Sequence, residues 1–308
     1  MTKGWKKTGL IFNEMSRVIT GYDYASLPTP FFLENDIFRV YFSSRDKNNI
    51  SSIFFLDLLL ERDSFRILRI EAQPVLKPGK PGLFDDCGVT PSCVTKIKDS
   101  YYLYYTGWNK QVTIPFQTYC GVAKLSDDLE SAEKLFLTPI MDRSNEEPFS
   151  VGACFVSFCQ EKNRYLMWYE SCTGYEEISS SHNFNFSINF ASSSDGFNWN
   201  RENIKCLEPQ REENIVARPF VLHEDNLYKM WFCNKAHGQY SISYAESLDG
   251  QFWSRRDNCL GLNVSHSGWD SDQVCYPYIF KHRNKKYMLY NGNGYGKTGF
   301  GLAVLEKE

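Results

Sequence analysis

Five times along this chain an apolar run meets a short polar turn and resumes as a second apolar run. Pro30-Phe31-Phe32-Leu33 leads to Arg39-Val40-Tyr41-Phe42, Pro91-Ser92-Cys93-Val94 to Tyr101-Tyr102-Leu103-Tyr104, and Ala153-Cys154-Phe155-Val156 to Tyr165-Leu166-Met167-Trp168. Pro219-Phe220-Val221-Leu222 leads to Tyr228-Lys229-Met230-Trp231, and Pro277-Tyr278-Ile279-Phe280 to Tyr287-Met288-Leu289-Tyr290. Short runs rich in aromatic residues and bounded by polar turns read as strands. The turns, such as Glu34-Asn35-Asp36 and Asp225-Asn226, carry the Asn and Asp that hairpins place in solvent.

The first runs begin at residues 30, 91, 153, 219 and 277, a spacing of 61, 62, 66 and 58 residues. That period is too long for one hairpin and fits a blade of about four strands. The expected fold is therefore all-β, a five-bladed β-propeller forming a single domain over residues 1–308. The second half of a blade also recurs: Phe190 to Trp199 and Tyr244 to Trp253 each hold a strand, an Asp-Gly turn and a strand. Asp195 and Asp249 are read as turn-formers, because Asp bonds its own backbone and the following Gly takes positive φ freely. The fifth unit stops at Leu305 with no such segment behind it, so Trp5 to Phe12 is the candidate for its missing strand. Pairing the N- and C-terminal strands closes the ring and removes an exposed sheet edge. Leu129, Ala132 and Leu135 stand at helical spacing and predict a helix over 126–135, decorating the second blade.

Composition fits such a fold. At 42% hydrophobic and 23% charged the chain is an ordinary globular sequence, but 16% of it is aromatic, which suits strands packed face to face and rings for stacking on sugars. The formal charge of -3, with no basic face, argues against nucleic acid. The N-terminus lacks an apolar segment of signal-peptide type, and Ile53 to Leu60 is interrupted by Asp57, so neither export nor a membrane span is expected. The 10 Cys show no C-x-x-C pair and no accompanying His cluster. They read as buried thiols in a reducing cytoplasm, with no metal and no cofactor.

In a propeller the first strand of each blade lines the channel and the second runs back, so residues before the first and after the second share one face. Before the first strands lie Asp23, Asp85-Asp86, Glu146-Glu147, Arg218 and Asp270 with Asp272; after the second lie Arg45-Asp46, Trp108-Asn109, Glu170, Lys235 with His237, and Asn293 with Tyr295. This mixture of carboxylates, amides, cations and rings suits a hydroxylated ligand. Opposed carboxylates are what glycosidic cleavage requires, and Asp86, Asp272, Glu147 and Glu170 are the candidates. Against that stand plainer roles: Asp86 and Asp272 fixing the backbone at the blade entry, and Glu146 and Glu147 in an exposed loop. Arg218 either neutralises an anionic substrate group or pairs with Asp86 or Asp272 across the channel.

Asp86-Cys87-Gly88-Val89-Thr90-Pro91, Ala217-Arg218-Pro219-Phe220, Tyr165 to Tyr169 and Ser194 to Trp199 resemble the five-bladed glycosidase superfamily that includes glycoside hydrolase families 32, 43, 68 and 130. The resemblance implies an Asp on blade one as base or nucleophile, a tuning Asp on blade two and an acid Glu on blade three. Carried across, these are Asp86 and one of Glu146, Glu147 or Glu170. Blade one, Tyr24 to Pro30, has no Asp at the expected place, leaving Asp23 or Asp46 to reach in. Family 130 members use phosphate in place of water, and Arg45, Arg218, Lys235 and His237 are the residues here for such an anion. The expected partner is an oligosaccharide or glycoconjugate, with an anionic group or phosphate. Three readings follow: a hydrolase or phosphorylase, a glycan-binding propeller without chemistry, and a sugar transferase of surface-polysaccharide biosynthesis.

Overall fold

The computed structural model of the protein describes residues 4–13, 15–61, 64–178 and 181–306. β1 (Trp5–Phe12) is followed by β2 (Tyr22–Glu34), β3 (Ile37–Asp46), β4 (Ser51–Leu60) and β5 (Phe65–Ile70). Next come β6 (Gly88–Ile97), β7 (Ser100–Lys110), β8 (Phe116–Leu125) and β9 (Ala132–Lys134), then β10 (Ser150–Cys159), β11 (Arg164–Ile178), β12 (Ser181–Ser193) and β13 (Asn200–Leu207). β14 (Glu213–Glu224), β15 (Leu227–Ala236), β16 (Gln239–Ser247) and β17 (Ser254–Arg255) precede β18 (Cys275–His282), β19 (Lys285–Asn291) and β20 (Phe300–Leu305). The fold is all-β, and no helix among the described residues is long and apolar enough to cross a membrane.

Within β2 to β5, β6 to β9, β10 to β13 and β14 to β17, each strand pairs antiparallel with the next. β18, β19 and β20 form a fifth group whose outermost strand is β1, with Trp5 opposite Leu305. Single parallel bridges, Ser51 to Gly88 and Phe186 to Ile215, join the first group to the second and the third to the fourth. The inner strands β2, β6, β10, β14 and β18 pack side by side in that order, and β18 packs against β2.

The apolar core lies between consecutive groups. Tyr41 and Phe55 of the first pack with Leu103 and Tyr105 of the second, and Trp168 and Phe190 of the third with Met230 and Phe232 of the fourth. Phe42 and Phe54 meet Phe12 and Phe300, so the first group is seated on the last. Each such buried ring contributes roughly 2–3 kcal/mol. Polar tips add direction: Tyr104 donates to the Gly196 carbonyl (2.6 Å), Trp168 to Gly250 (2.7 Å) and Trp231 to Leu260 (3.1 Å). The first two acceptors sit in the Asp-Gly turns of the following group, where Asp195 and Asp249 accept from main-chain N–H groups two and three residues on. All ten cysteines are free thiols.

The helix expected over 126–135 does not form. Asp128 accepts from the Glu130 N–H and the Ser126 hydroxyl, Leu129 takes a left-handed φ of 62°, and Ala132–Lys134 pairs with β8 as β9. The aspartate's side-chain hydrogen bonds favour a turn, and the apolar spacing serves packing under Leu125.

Candidate active site at one end of the inner strands

Every inner strand loses register with its neighbour near the same end: after Ser26, Pro91, Gly152, Ala217 and Cys275. Bulges of this kind re-aim side chains. Tyr24 (φ 71°), Arg218 (φ 53°) and Tyr276 (φ 57°) lie at these irregularities in the left-handed region, a conformation costing roughly 1–3 kcal/mol at a non-glycine residue. Leu27 (φ 58°), Arg218 and Tyr276 each precede a proline, so the same local sequence produces the same protrusion in three groups.

Glu170 stands on β11 directly opposite Gly152 on β10. A Cβ at Gly152 would lie 2.8 Å from Thr118 Oγ1 and 3.4 Å from Glu170 Oε2, so glycine leaves the room the carboxylate occupies. Glu170 Oε1 accepts from the main-chain N–H of Arg218 (2.8 Å). The carboxylate is deep yet partly open to solvent, and burial pushes its pKa up to about 7 against the opposing pull of the Arg218 charge and N–H. Its field reaches the phenols of Tyr240 and Tyr276, both held well above their ordinary pKa, chiefly by burial, and therefore neutral donors.

Arg218 is 4% exposed and spans from β14 to β6, where it donates to the Pro91 carbonyl (2.6 Å) and to Ser92 Oγ (3.4 Å). The pairing with Asp86 or Asp272 weighed from the sequence is replaced by main-chain and hydroxyl acceptors, and burial lowers the guanidinium pKa. Arg45 lies over the Tyr24 ring (5.2 Å to its centroid) and Lys235 over Tyr240 (5.5 Å). Tyr240 in turn meets Tyr276 (6.1 Å) and, edge-on, Tyr295 (5.7 Å). Glu170, Arg218, Arg45, Lys235 and Tyr295 thus share one mouth with Tyr24, Tyr240 and Tyr276.

The other carboxylates are placed differently. Glu147 is buried and fully engaged: Tyr169 (2.9 Å), Asn189 (2.8 Å) and Arg201 (2.9 Å) all donate to it. It is one of a repeated set. Asp85 takes Tyr105 (3.0 Å) and Lys134 (2.5 Å), Asp270 takes Tyr290 (2.9 Å) and Lys7 (2.6 Å), and Glu213 takes Arg255 (2.6 Å) where Phe232 replaces the tyrosine. In each, a carboxylate ahead of the inner strand, or at its first residue in the case of Glu213, is locked to a cation on the outermost strand of its own group. The structure therefore gives Glu147 a fastening task. Asp86 accepts from the Gly82 N–H (2.8 Å) in the preceding turn, while Glu146 and Asp272 are exposed.

Of the remaining candidates, Asp46 caps its own turn through the Asn48 and Ile50 N–H groups. Trp108 donates to Ser51 Oγ (3.0 Å), and Asn109 accepts from Gln111 (2.8 Å). Asn293 accepts from the Asp272 N–H (2.8 Å), and His237 is exposed on the rim and paired with Glu212. Tyr24 and Tyr276 stand in the segments ahead of the first strands but were given no role from the sequence, and Tyr240 was absent from the sequence candidates. The repeated X-Pro ahead of Pro219 and Pro277 was the available signal for Tyr276, whereas nothing local marks Tyr240.

No family model matches the chain. Over 305 residues it is 39% identical to Rv1502 of Mycobacterium tuberculosis H37Rv, an uncharacterized protein, with 98% of this chain and 99% of that one covered. The chain belongs to the Rv1502 family. A glycoside hydrolase superposes on this Rv1502-family protein with a TM-score of 0.75 at 15% identity, over 99% of this chain and 92% of the other. An endo-arabinase from Bacteroides thetaiotaomicron superposes with a TM-score of 0.65 at 12% identity, over 97% and 98%. The chain shares its all-β fold with these glycoside hydrolase structures.

Proposed function

We propose that this Rv1502-family protein is a five-bladed propeller, closed by β1 on β20, that cleaves or transfers a glycosidic bond at the mouth around Glu170. The blade reading rests on the five four-strand groups, on the circular packing of the inner strands and on the core shared by the first group and the last. The observation that carries the chemistry is the Glu170 carboxyl, lifted to about 7 among neutral phenols. A carboxylic acid poised there donates its proton to a leaving glycosidic oxygen as the anomeric carbon–oxygen bond breaks, and an incoming oxygen takes the anomeric carbon. Tyr240, Tyr276 and Tyr295 offer faces for sugar rings.

Hydrolysis by a pair of carboxylates needs a second one across the bond. Glu147 is fully engaged, Asp272 is exposed and Asp86 is held in its turn through Oδ2 with Oδ1 buried and unpartnered, so none of them is paired with Glu170, which favours an acceptor that arrives ionised, and it equally supports a second reading as a glycan-binding propeller. The test is mass-spectrometric detection of products from an oligosaccharide panel, with and without inorganic phosphate, for wild type and Glu170→Gln. Product from wild type alone supports the enzyme, with a sugar phosphate marking phosphorolysis. Binding without turnover by either protein would leave the binding reading.

A further inference from the structure

Cations in this molecule are matched to carboxylates wherever the fold needs them. Arg39 pairs with Asp57 (2.8 Å), Arg201 with Glu147 (2.9 Å), Arg255 with Glu213 (2.6 Å), Lys134 with Asp85 (2.5 Å) and Lys7 with Asp270 (2.6 Å). The mouth around Glu170 breaks that pattern. Among the described residues Arg45, Arg218 and Lys235 form no ion pair. Arg45 has only Asn49 Oδ1 on its NH1 (2.9 Å), Arg218 has neutral oxygens, and Lys235 has the Tyr240 ring. Asp23, directly across the ladder from Arg45, does not close onto it and is exposed. Arg45 Nε is buried without a partner. Arg218 bears on Glu170 directly, while Arg45 and Lys235 flank the tyrosines beside it, so three positive side chains without an ion pair line one mouth in a protein whose overall charge is -3.

An uncompensated cation in an enclosed site is costly unless a ligand supplies the counter-charge. The Arg45 guanidinium has a single side-chain partner, Asn49, and its planar fork suits the oxygens of a carboxylate or phosphate group. Arg45 and Lys235 each lie over a tyrosine ring, so the charge readers and the stacking faces are placed to meet one and the same molecule.

We infer that the ligand of this mouth is an anionic glycan, a sugar bearing its own carboxylate or phosphate group, read by Arg45 with Lys235 and stacked on the neighbouring tyrosines. The inference rests on the site proposed above but not on its being catalytic.

The test is calorimetric titration with matched pairs: glucuronic acid-substituted against unsubstituted xylo-oligosaccharide, oligogalacturonide against galacto-oligosaccharide, and mannose 6-phosphate against mannose. Inorganic phosphate is a separate arm. At low salt the acidic member of at least one pair binds about tenfold or more tightly than its neutral counterpart, in wild type and in Glu170→Gln alike. The preference shrinks as NaCl rises and is lost in Arg45→Gln and reduced in Lys235→Gln, with folding of both variants checked by circular dichroism. Equal affinity within every pair, a preference that survives Arg45→Gln, or no binding by any glycan would overturn the inference. Arg45-dependent binding of inorganic phosphate without a gain for acidic glycans would overturn it too, assigning the cations to a free oxyanion. A charge preference in Glu170→Gln with no turnover by wild type would sink the catalytic reading alone.

Discussion

Glu170 accepts a hydrogen bond from the main-chain N–H of Arg218 at 2.8 Å, tying the second strand of the third group to the bulge in the inner strand of the fourth. The bond holds the carboxylate at the mouth through backbone, which leaves the Arg218 guanidinium free to reach β6. One residue thus positions the acid with its N–H and fills the space between non-adjacent strands with its side chain.

The raised Glu170 pKa has a consequence for stability. Its folded value, about 7, lies above the ordinary 4.5, so its contribution is fully present below 4.5 and is lost as pH rises through about 7. Glu170→Gln removes that loss. The variant should exceed wild type in urea denaturation by up to about 3 kcal/mol at pH 8, with the gap closing toward pH 4.5. A variant less stable than wild type at pH 8 would show that the carboxylate is better solvated than its surroundings suggest.

Turnover, where it occurs, should follow the protonated form of the same group. Above pH 7, kcat/KM is expected to fall about tenfold per pH unit. A flat profile from pH 6 to 9 would exclude Glu170 as the proton donor.

Glu147 and Glu170 are two glutamates of one group with opposite expected behaviour. Glu147→Gln breaks the buried contact with Arg201 and should cost about 2–4 kcal/mol at neutral pH, leaving the pH dependence due to Glu170 in place. Denaturation curves of both variants at pH 5 and 8 compare the two directly.

Lys7 carries the same fastening role across the chain termini. Lys7→Met strands the Asp270 carboxylate, which is 2% exposed, and should cost about 2–4 kcal/mol, whereas Tyr290→Phe should cost only about 1 kcal/mol. A double-mutant cycle of Lys7→Met with Asp270→Asn should recover part of the loss. Additive costs would mean the ion pair does not hold β1.

Gly152→Ala tests the space beside the acid. The new Cβ meets Thr118 Oγ1 at 2.8 Å, and that hydroxyl is already bonded to Ser150 Oγ, so it yields only with a local shift. Stability should fall by about 1–3 kcal/mol, and ligand affinity or turnover should fall with it. Unchanged binding would place the ligand away from Glu170.

Much of the architecture was legible because strands, turns and period are local or repetitive properties. The apolar pairs, the Asp-Gly turns and the spare N-terminal strand could be read one segment at a time, and β1 does pair with β20. The helix expected over 126–135 failed for the converse reason: an apolar spacing of three fits a turn packed on a neighbouring sheet as well as a helix, and the Asp128 hydrogen bonds decide between them.

What the sequence by itself determined was the all-β repeat and the set of polar residues at one end of it. Which of those residues are occupied was decided only in three dimensions. Asp85, Glu147 and Asp270 look as eligible for chemistry as Glu170, but each is taken by a tyrosine and a cation distant in sequence. Glu170 is left with the main-chain N–H and the charge of Arg218 and with two phenols in its field. A carboxylate's pKa and availability depend on burial and on partners that the chain brings together only on folding, so no local pattern could have separated them.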